Sequence, residues 1–237
     1  MLVFMKYYTS DLHLGQESIL QTGRFKERPF NTQEEMWRVI IDNWNSKVKK
    51  SDDVYILGDI GGYTKEQMHM DVIDKLRGRK HLILGNHDII CPEVRKRFID
   101  ISNYKEITDK SSGENIKLAL SHYPLLMWNE MFKGRALLYG HLHNTRDEYF
   151  FQKSLLEYNK DRRAIFGIDN DVAAYNVGCM LWGYTPMSYE EIKKGYENVK
   201  NKLRGVSKDE IQAFSEKQKE YKKEKRAENK PKYPTLI

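Results

Sequence analysis

Five short clusters of metal-binding side-chain types punctuate the chain between residues 11 and 143. They are Asp11-Leu-His13, Gly58-Asp59, Gly85-Asn86-His87-Asp88, Ser121-His122-Tyr123-Pro124 and Gly140-His141-Leu-His143. In extended backbone residues i and i+2 point the same way, so Asp11 with His13, and His141 with His143, can each aim two ligands at one point. Mixed carboxylate, imidazole and amide donors suit first-row divalent ions such as Mn, Fe, Co, Ni or Zn better than all-oxygen Ca or Mg sites. Seven good ligands exceed what one tetrahedral zinc needs. They suffice for two ions about 3.5–4 Å apart that share a carboxylate and a hydroxide.

Each cluster directly follows a short apolar run: Val3–Tyr8, Val54–Leu57, His81–Leu84, Ile116–Leu120 and Ala136–Tyr139. These runs are β-branched or leucine-rich and bounded by polar residues or glycine, which reads as strand. Functional groups gather at the carboxyl ends of strands in open α/β sheets, so the five clusters are expected at one edge. Gly58, Gly85 and Gly140 stand just before ligands, where tight turns and close backbone approach are needed. Between the strands lie helical patterns at Glu34–Lys49, with a Thr32/Glu35 capping box, and at Gln67–Leu76, ended by Gly78. Pro92 opens a third, short helix toward Ile99.

Strand–helix alternation predicts an α/β layered fold. Further runs at Ala164–Ile168 and Ala173–Val177 add strand late in the chain, so a second sheet facing the first is expected. One domain over residues 1–187 follows, with a cap or hairpin insertion at 144–163. From Ser188, a second capping box (Ser188, Glu191) leads into a charged helical tail over 188–237. Trp37 and Trp44 lie on the apolar stripe of the first helix and are expected in the core.

The order D-x-H, G-D, G-N-H-D, H, G-H-x-H resembles the calcineurin-like metallophosphoesterases, over the chain from about Met5 to His143. Arg28-Pro-Phe30, Asp42-Asn-Trp-Asn45 and the LILGNHD run look like a branch of small, uncharacterised bacterial and phage phosphoesterases within that superfamily. The resemblance implies a two-sheet β-sandwich flanked by helices and a dinuclear site. It assigns Asp11, His13 and His143 to one metal, Asn86, His122 and His141 to the other, and Asp59 to the bridge, with manganese the favoured ion. His87 is then the acid that protonates the leaving oxygen, and Asp88 orients it. The phosphoprotein phosphatase branch carries Asp-Arg-Gly after its G-D and reads G-N-H-E. This chain has Gly61-Gly62-Tyr63 and G-N-H-D, which argues against protein phosphatase activity.

Two divalent ions outweigh two carboxylates and a hydroxide, so a positive site suited to phosphate is expected. The expected reaction is in-line attack on a phosphate ester by a metal-bridging hydroxide. A phosphodiester is favoured over a phosphomonoester; a nuclease and a non-catalytic binding module are the further alternatives. The long segment Gly15–Asn31, without periodicity, is expected to touch the substrate, a small phosphate ester or a nucleotide. Arg24 and Arg28 are candidate phosphate clamps, with Tyr123 and Asn144 as further contacts. His69 and His81 are expected to be structural.

The net charge of +6 lies in the tail: residues 201–237 hold 11 Lys/Arg against 6 Asp/Glu, leaving 29 against 28 before them. The body is therefore near neutral, and nucleic acid is only weakly indicated as a partner. Two distant cysteines, no secretory run and no apolar stretch of about 20 residues point to a reduced, cytoplasmic setting with no membrane.

Overall fold

The ligand-bearing runs form strands in two separate sheets. A computed structural model describes residues 4–23, 27–61 and 69–205, with side chains placed as far as Glu197. The first sheet holds β1 (Lys6–Thr9), β2 (Asp53–Leu57), β3 (Arg79–Ile83) and β4 (Asp100–Ser102), in that order and all parallel. Parallel neighbours need crossovers, and helices α1 (Gln33–Lys47), α2 (Met70–Lys75) and α3 (Pro92–Arg95) lie in the intervening connections. Thr32 caps α1 by accepting from Glu35 N at 3.2 Å, while the Glu35 carboxylate accepts from Asn31 N at 2.9 Å.

After Ser102 the chain switches sheets across a single residue. The second sheet has the order β5 (Tyr104–Asp109), β6 (Ile116–Ser121), β7 (Ala136–Tyr139), β8 (Ala174–Asn176). Only β5 is antiparallel, so β6, β7 and β8 run the same way. The 21-residue helix α4 (Arg146–Phe166) bridges β7 and β8, and α5 (Tyr189–Gly205) follows.

Alternation along the strands builds three apolar layers. Val54 and Ile56 face α1 and α2, packing with Met36, Ile40, Trp44 and Val72. Tyr55 and Leu57 face the other sheet and meet Leu118, Leu120 and Leu138. Ala119, Leu137 and Tyr139 point outward and pack with Trp128, Phe151 and Leu155. The result is an α/β fold of two four-stranded sheets flanked by helices.

Two segments differ from the sequence reading, and two strands, β4 and β5, are added to it. Ala164–Ile168 is not a strand, and 144–163 is not a hairpin: both lie on α4 or at its ends. The helix buries polar side chains, Glu148, Gln152, Asn159 and Arg162, so it lacks the apolar stripe that betrays most helices. Strands β4 and β5 read as polar because both are sheet edges with half-exposed residues.

The chain divides into two compact units, Met1–Glu197 and Asn198–Ile237. The first turns of α5 belong to the first unit, where Tyr189, Ile192 and Tyr196 pack on the second sheet. In the second unit the backbone of α5 runs to Gly205, and the basic stretch of the tail lies outside the described residues. Both cysteines are unpaired. Among the described residues no helix is long and apolar enough to cross a membrane.

Candidate metal centre

The parallel runs of β1, β2, β3, β6 and β7 each hand over to a ligand loop at the carboxyl end. The loops after β1 and β2 continue to pair, Asp11 N donating to Gly58 O at 2.9 Å and His13 N to Asp59 O at 2.9 Å. Gly140 N likewise donates to His122 O at 3.0 Å. Asp11, His13, Asp59, His141 and His143 all adopt positive φ, five of the eight non-glycine residues that do so among those described. Such conformations cost of order 1–3 kcal/mol each and concentrate at functional sites. Two glycines make room for the carboxylates. A methyl group at Gly140 would lie 2.6 Å from Asp11 Oδ2, and one at Gly85 would collide with Asp59 Oδ1.

The ligand atoms converge as three overlapping groups that could hold metal ions: Asp11 with His13 and His143, His13 with Asp59 and His87, and Asp59 with His122 and His141. His13 Nε2 lies 3.0 Å from His143 Nε2, which is 3.5 Å from Asp11 Oδ1. Asp59 Oδ2 stands 3.6 Å from His13 Nε2 and 3.5 Å from His122 Nε2. Asn86 Oδ1 is 3.1 Å from His122 Nε2. Metal–ligand bonds of about 2.0–2.2 Å set adjacent donors roughly 2.9–3.5 Å apart, so these separations match the edges of coordination polyhedra.

Electrostatics agree with a cation among the groups. The carboxylates of Asp11 and Glu27, hydrogen-bonded to the His143 ring, overcome its burial and push its imidazolium up to about 9. Burial opposes the charge of Asp11 too, but His143 and His13 hold its carboxyl well below the usual range. Asp59 differs: burial, reinforced by Asp11 and Asp88, pushes it up to about 6 despite His122. Burial and the neighbouring His143 and His122 charges push His87 down to about 4.

The second layer is well defined. His122 Nδ1 lies 2.8 Å from Leu57 O and His143 Nδ1 2.7 Å from Glu27 Oε2, so each donates outward and turns Nε2 inward. Asp11 accepts from Ser10 Oγ at 2.6 Å and His141 N at 3.0 Å. Asp59 Oδ1 accepts from His87 N at 2.9 Å. Asp88 accepts from the backbone N–H groups of Asp59, Ile60 and Gly85 at 2.8–2.9 Å. That carboxylate ties the loops after β2 and β3 together.

Of the expected substrate contacts, Arg28 is corrected outright. It is 1% exposed beneath the site, where it donates to Asp11 O at 2.5 Å and Cys179 Sγ at 3.0 Å, so it cannot clamp a phosphate. Arg24 lies outside the described residues, as do Gly62 and Tyr63. Tyr123 stands at the rim, 44% exposed, its ring 4.6 Å from that of His141 and its hydroxyl 3.4 Å from Asn86 Oδ1. Asn144 is exposed. His69 packs on Trp37, and His81 is buried between Asp53 and Asp100, both away from the centre.

A cleft of about 670 Å³ opens beside the ligands, lined by His87, Asn86 and His141, by Gly15–Ile19 and by Glu27. The loop after the first ligands therefore does reach the site. Sequence reading missed Glu27 and Asn176. Asn176 is fully buried, donating to His143 O at 3.0 Å and accepting from Gly178 N at 2.8 Å. Neither falls at the end of a ligand-bearing run, and the residue types alone carried no signal.

Fold and site together define a two-sheet α/β protein with a His/Asp cluster at the strand ends. The chain is 31% identical over 196 residues to the uncharacterized protein MJ1445 of Methanocaldococcus jannaschii, covering 82% of this chain and 92% of that one. It is 31% identical over 163 residues to the gene 66 protein of Mycobacterium phage L5, covering 58% and 77%. It belongs to the family that these two proteins represent. Among solved structures, the protein of unknown function AQ665 from Aquifex aeolicus matches with a TM-score of 0.57 at 26% identity, over 80% of this chain and 98% of that one. No protein-family model matches the chain.

Proposed function

We propose that this protein hydrolyses a phosphate ester at a centre of two divalent transition-metal ions. The observation that carries the reading is Asp59, whose Oδ2 stands 3.5–3.6 Å from imidazole nitrogens of both ligand groups. One carboxylate shared by two sets of nitrogen and oxygen donors suits two ions better than one. The resemblance of the five motifs to calcineurin-like metallophosphoesterases supports the same reading, as do the paired sheets with helices on both faces.

Asp11, His13 and His143 would hold one ion, Asn86, His122 and His141 the other, and Asp59 would serve both. When bound, such ions polarise phosphoryl oxygens and supply a nucleophile at neutral pH. The chain's own contribution lies around them. Asp88 and Ser10 fix the ligand loops through their hydrogen bonds. His87 borders the cleft, its ring 4.8 Å from that of His13. Burial makes its imidazole reluctant to stay charged, and an anionic ester beside the ring favours the proton that it then delivers to the leaving oxygen. A phosphodiester is the favoured substrate.

Hydrolysis of bis-p-nitrophenyl phosphate and p-nitrophenyl phosphate, measured with Mn, Fe, Co, Ni and Zn in turn, tests this. Metal-dependent turnover, faster on the diester, is expected. Preference for the monoester would reverse the substrate assignment, and no turnover of either ester with any metal would contradict the function.

A further inference from the structure

The dipeptide Glu27-Arg28 reaches the Asp11–His13–His143 group twice from outside. Glu27 Oε2 accepts from His143 Nδ1 at 2.7 Å, and Arg28 donates to the main-chain oxygen of Asp11 at 2.5 Å. The dipeptide is itself fastened, because Glu27 N and Arg28 N both donate to Ile19 O at 2.9 Å. With its Nδ1 proton committed to a carboxylate, His143 is left to turn Nε2 toward His13 and Asp11. In the other group the corresponding acceptor for His122 Nδ1 is neutral, the carbonyl of Leu57 at 2.8 Å. A carboxylate behind a ligating histidine fixes its tautomer and ring orientation and raises its basicity, effects typically worth about 10–100-fold in metal affinity.

We propose that Glu27 is a positioning residue for the ion held by Asp11, His13 and His143, setting the affinity of that site without ligating the ion. This inference rests on the two-metal reading above. It makes the two sites unequal: the one backed by Glu27 binds its ion more tightly and fills first.

Calorimetric titration of the 237-residue chain with Mn²⁺, and elemental analysis after dialysis, tests it on the wild type, Glu27→Ala, Glu27→Gln and Glu17→Gln. The wild type should take up two equivalents with separable affinities. Glu27→Ala should lose about 10–100-fold for the tighter equivalent alone. Glu27→Gln, nearly isosteric and still able to accept the hydrogen bond, should fall between, and it decides the matter if the alanine variant fails to fold. Glu17 lines the same cleft, so Glu17→Gln should leave both affinities unchanged. Wild-type affinities in both Glu27 variants would overturn the role of Glu27 while leaving the metal centre standing. An equal loss in Glu17→Gln would overturn it in favour of general cleft charge. A wild type that takes up no metal would remove the two-metal reading itself.

Discussion

The two ligand groups share Asp59 but are held by different means. The Asp11–His13–His143 group is gripped by side chains: Ser10 on Asp11, Glu27 on the His143 ring and Asn176 on the His143 carbonyl. The Asn86–His122–His141 group is held through main-chain partners, with Leu57 O behind His122 and the Asp88 carboxylate beside Asn86 accepting from three backbone N–H groups. Among the side-chain braces Glu27 and Asn176 come from distant parts of the sequence, and Glu27 carries charge, so it can tune a ligand. Main-chain braces come with the strand ends, so they mostly place one.

The strongest way to break the contrast is at the shared corner. Asp59→Asn removes charge from both groups at once. Metal ions supply several kcal/mol of charge stabilisation, so losing them should cut phosphodiester turnover by about three orders of magnitude or more. Metal content should fall at both sites. His87→Ala should instead leave metal content intact. Turnover should drop about 10²–10⁴-fold on esters with poor leaving groups, and less on nitrophenyl esters, whose leaving oxygen scarcely needs a proton. Equal losses on both substrate types would remove the acid role.

Bracing by the main chain is tested through Asp88→Ala, which strips three backbone donors of their acceptor. A loss of roughly 2–5 kcal/mol in denaturant unfolding is expected, from about 1–3 kcal/mol for each buried group left unsatisfied, relieved by whatever water enters. Asp88→Asn, keeping one oxygen, should lose less. Bracing by side chains is tested by Asn176→Ala, which should cost about 1–3 kcal/mol and weaken metal binding at the first group alone.

The smallest expected effect concerns pH. Burial raises the carboxyl of Glu148, which lies beneath Asn176 and is hydrogen-bonded by Tyr139 and Tyr196. A carboxyl raised on folding contributes stability below its unfolded value, and that contribution is lost as pH rises through the folded one. Glu148→Gln should therefore flatten the fall in stability above the ordinary glutamate range, read from unfolding curves across pH.

The contrast also explains what the sequence disclosed. Strand ends announce themselves, because a short apolar run followed by glycine and a ligand is a local pattern. Asp59, Asn86 and His141 show it, Asp11 and His122 follow their runs without a glycine, His13 and His143 stand two residues further on, and the structure brings all seven together. Residues that brace from afar leave no such mark. Glu27 sits in an aperiodic loop, and Asn176 ends β8, a strand with no histidine or aspartate directly after it. Arg28 shows the hazard of reading chemistry from residue type: an arginine beside a suspected phosphate site turned out to be buried under Asp11. Helix α4 shows the same for folds, since its buried residues are polar, and its aromatic and charged sequence reads as a cap or hairpin.

The central claim is that two cations flank Asp59. Crystals soaked in Mn²⁺ and measured at the manganese absorption edge test it directly. The account predicts two anomalous peaks about 3.5–4 Å apart, one among Asp11, His13 and His143 and the other among Asn86, His122 and His141, with Asp59 between them. A single peak, or peaks remote from Asp59, would contradict it.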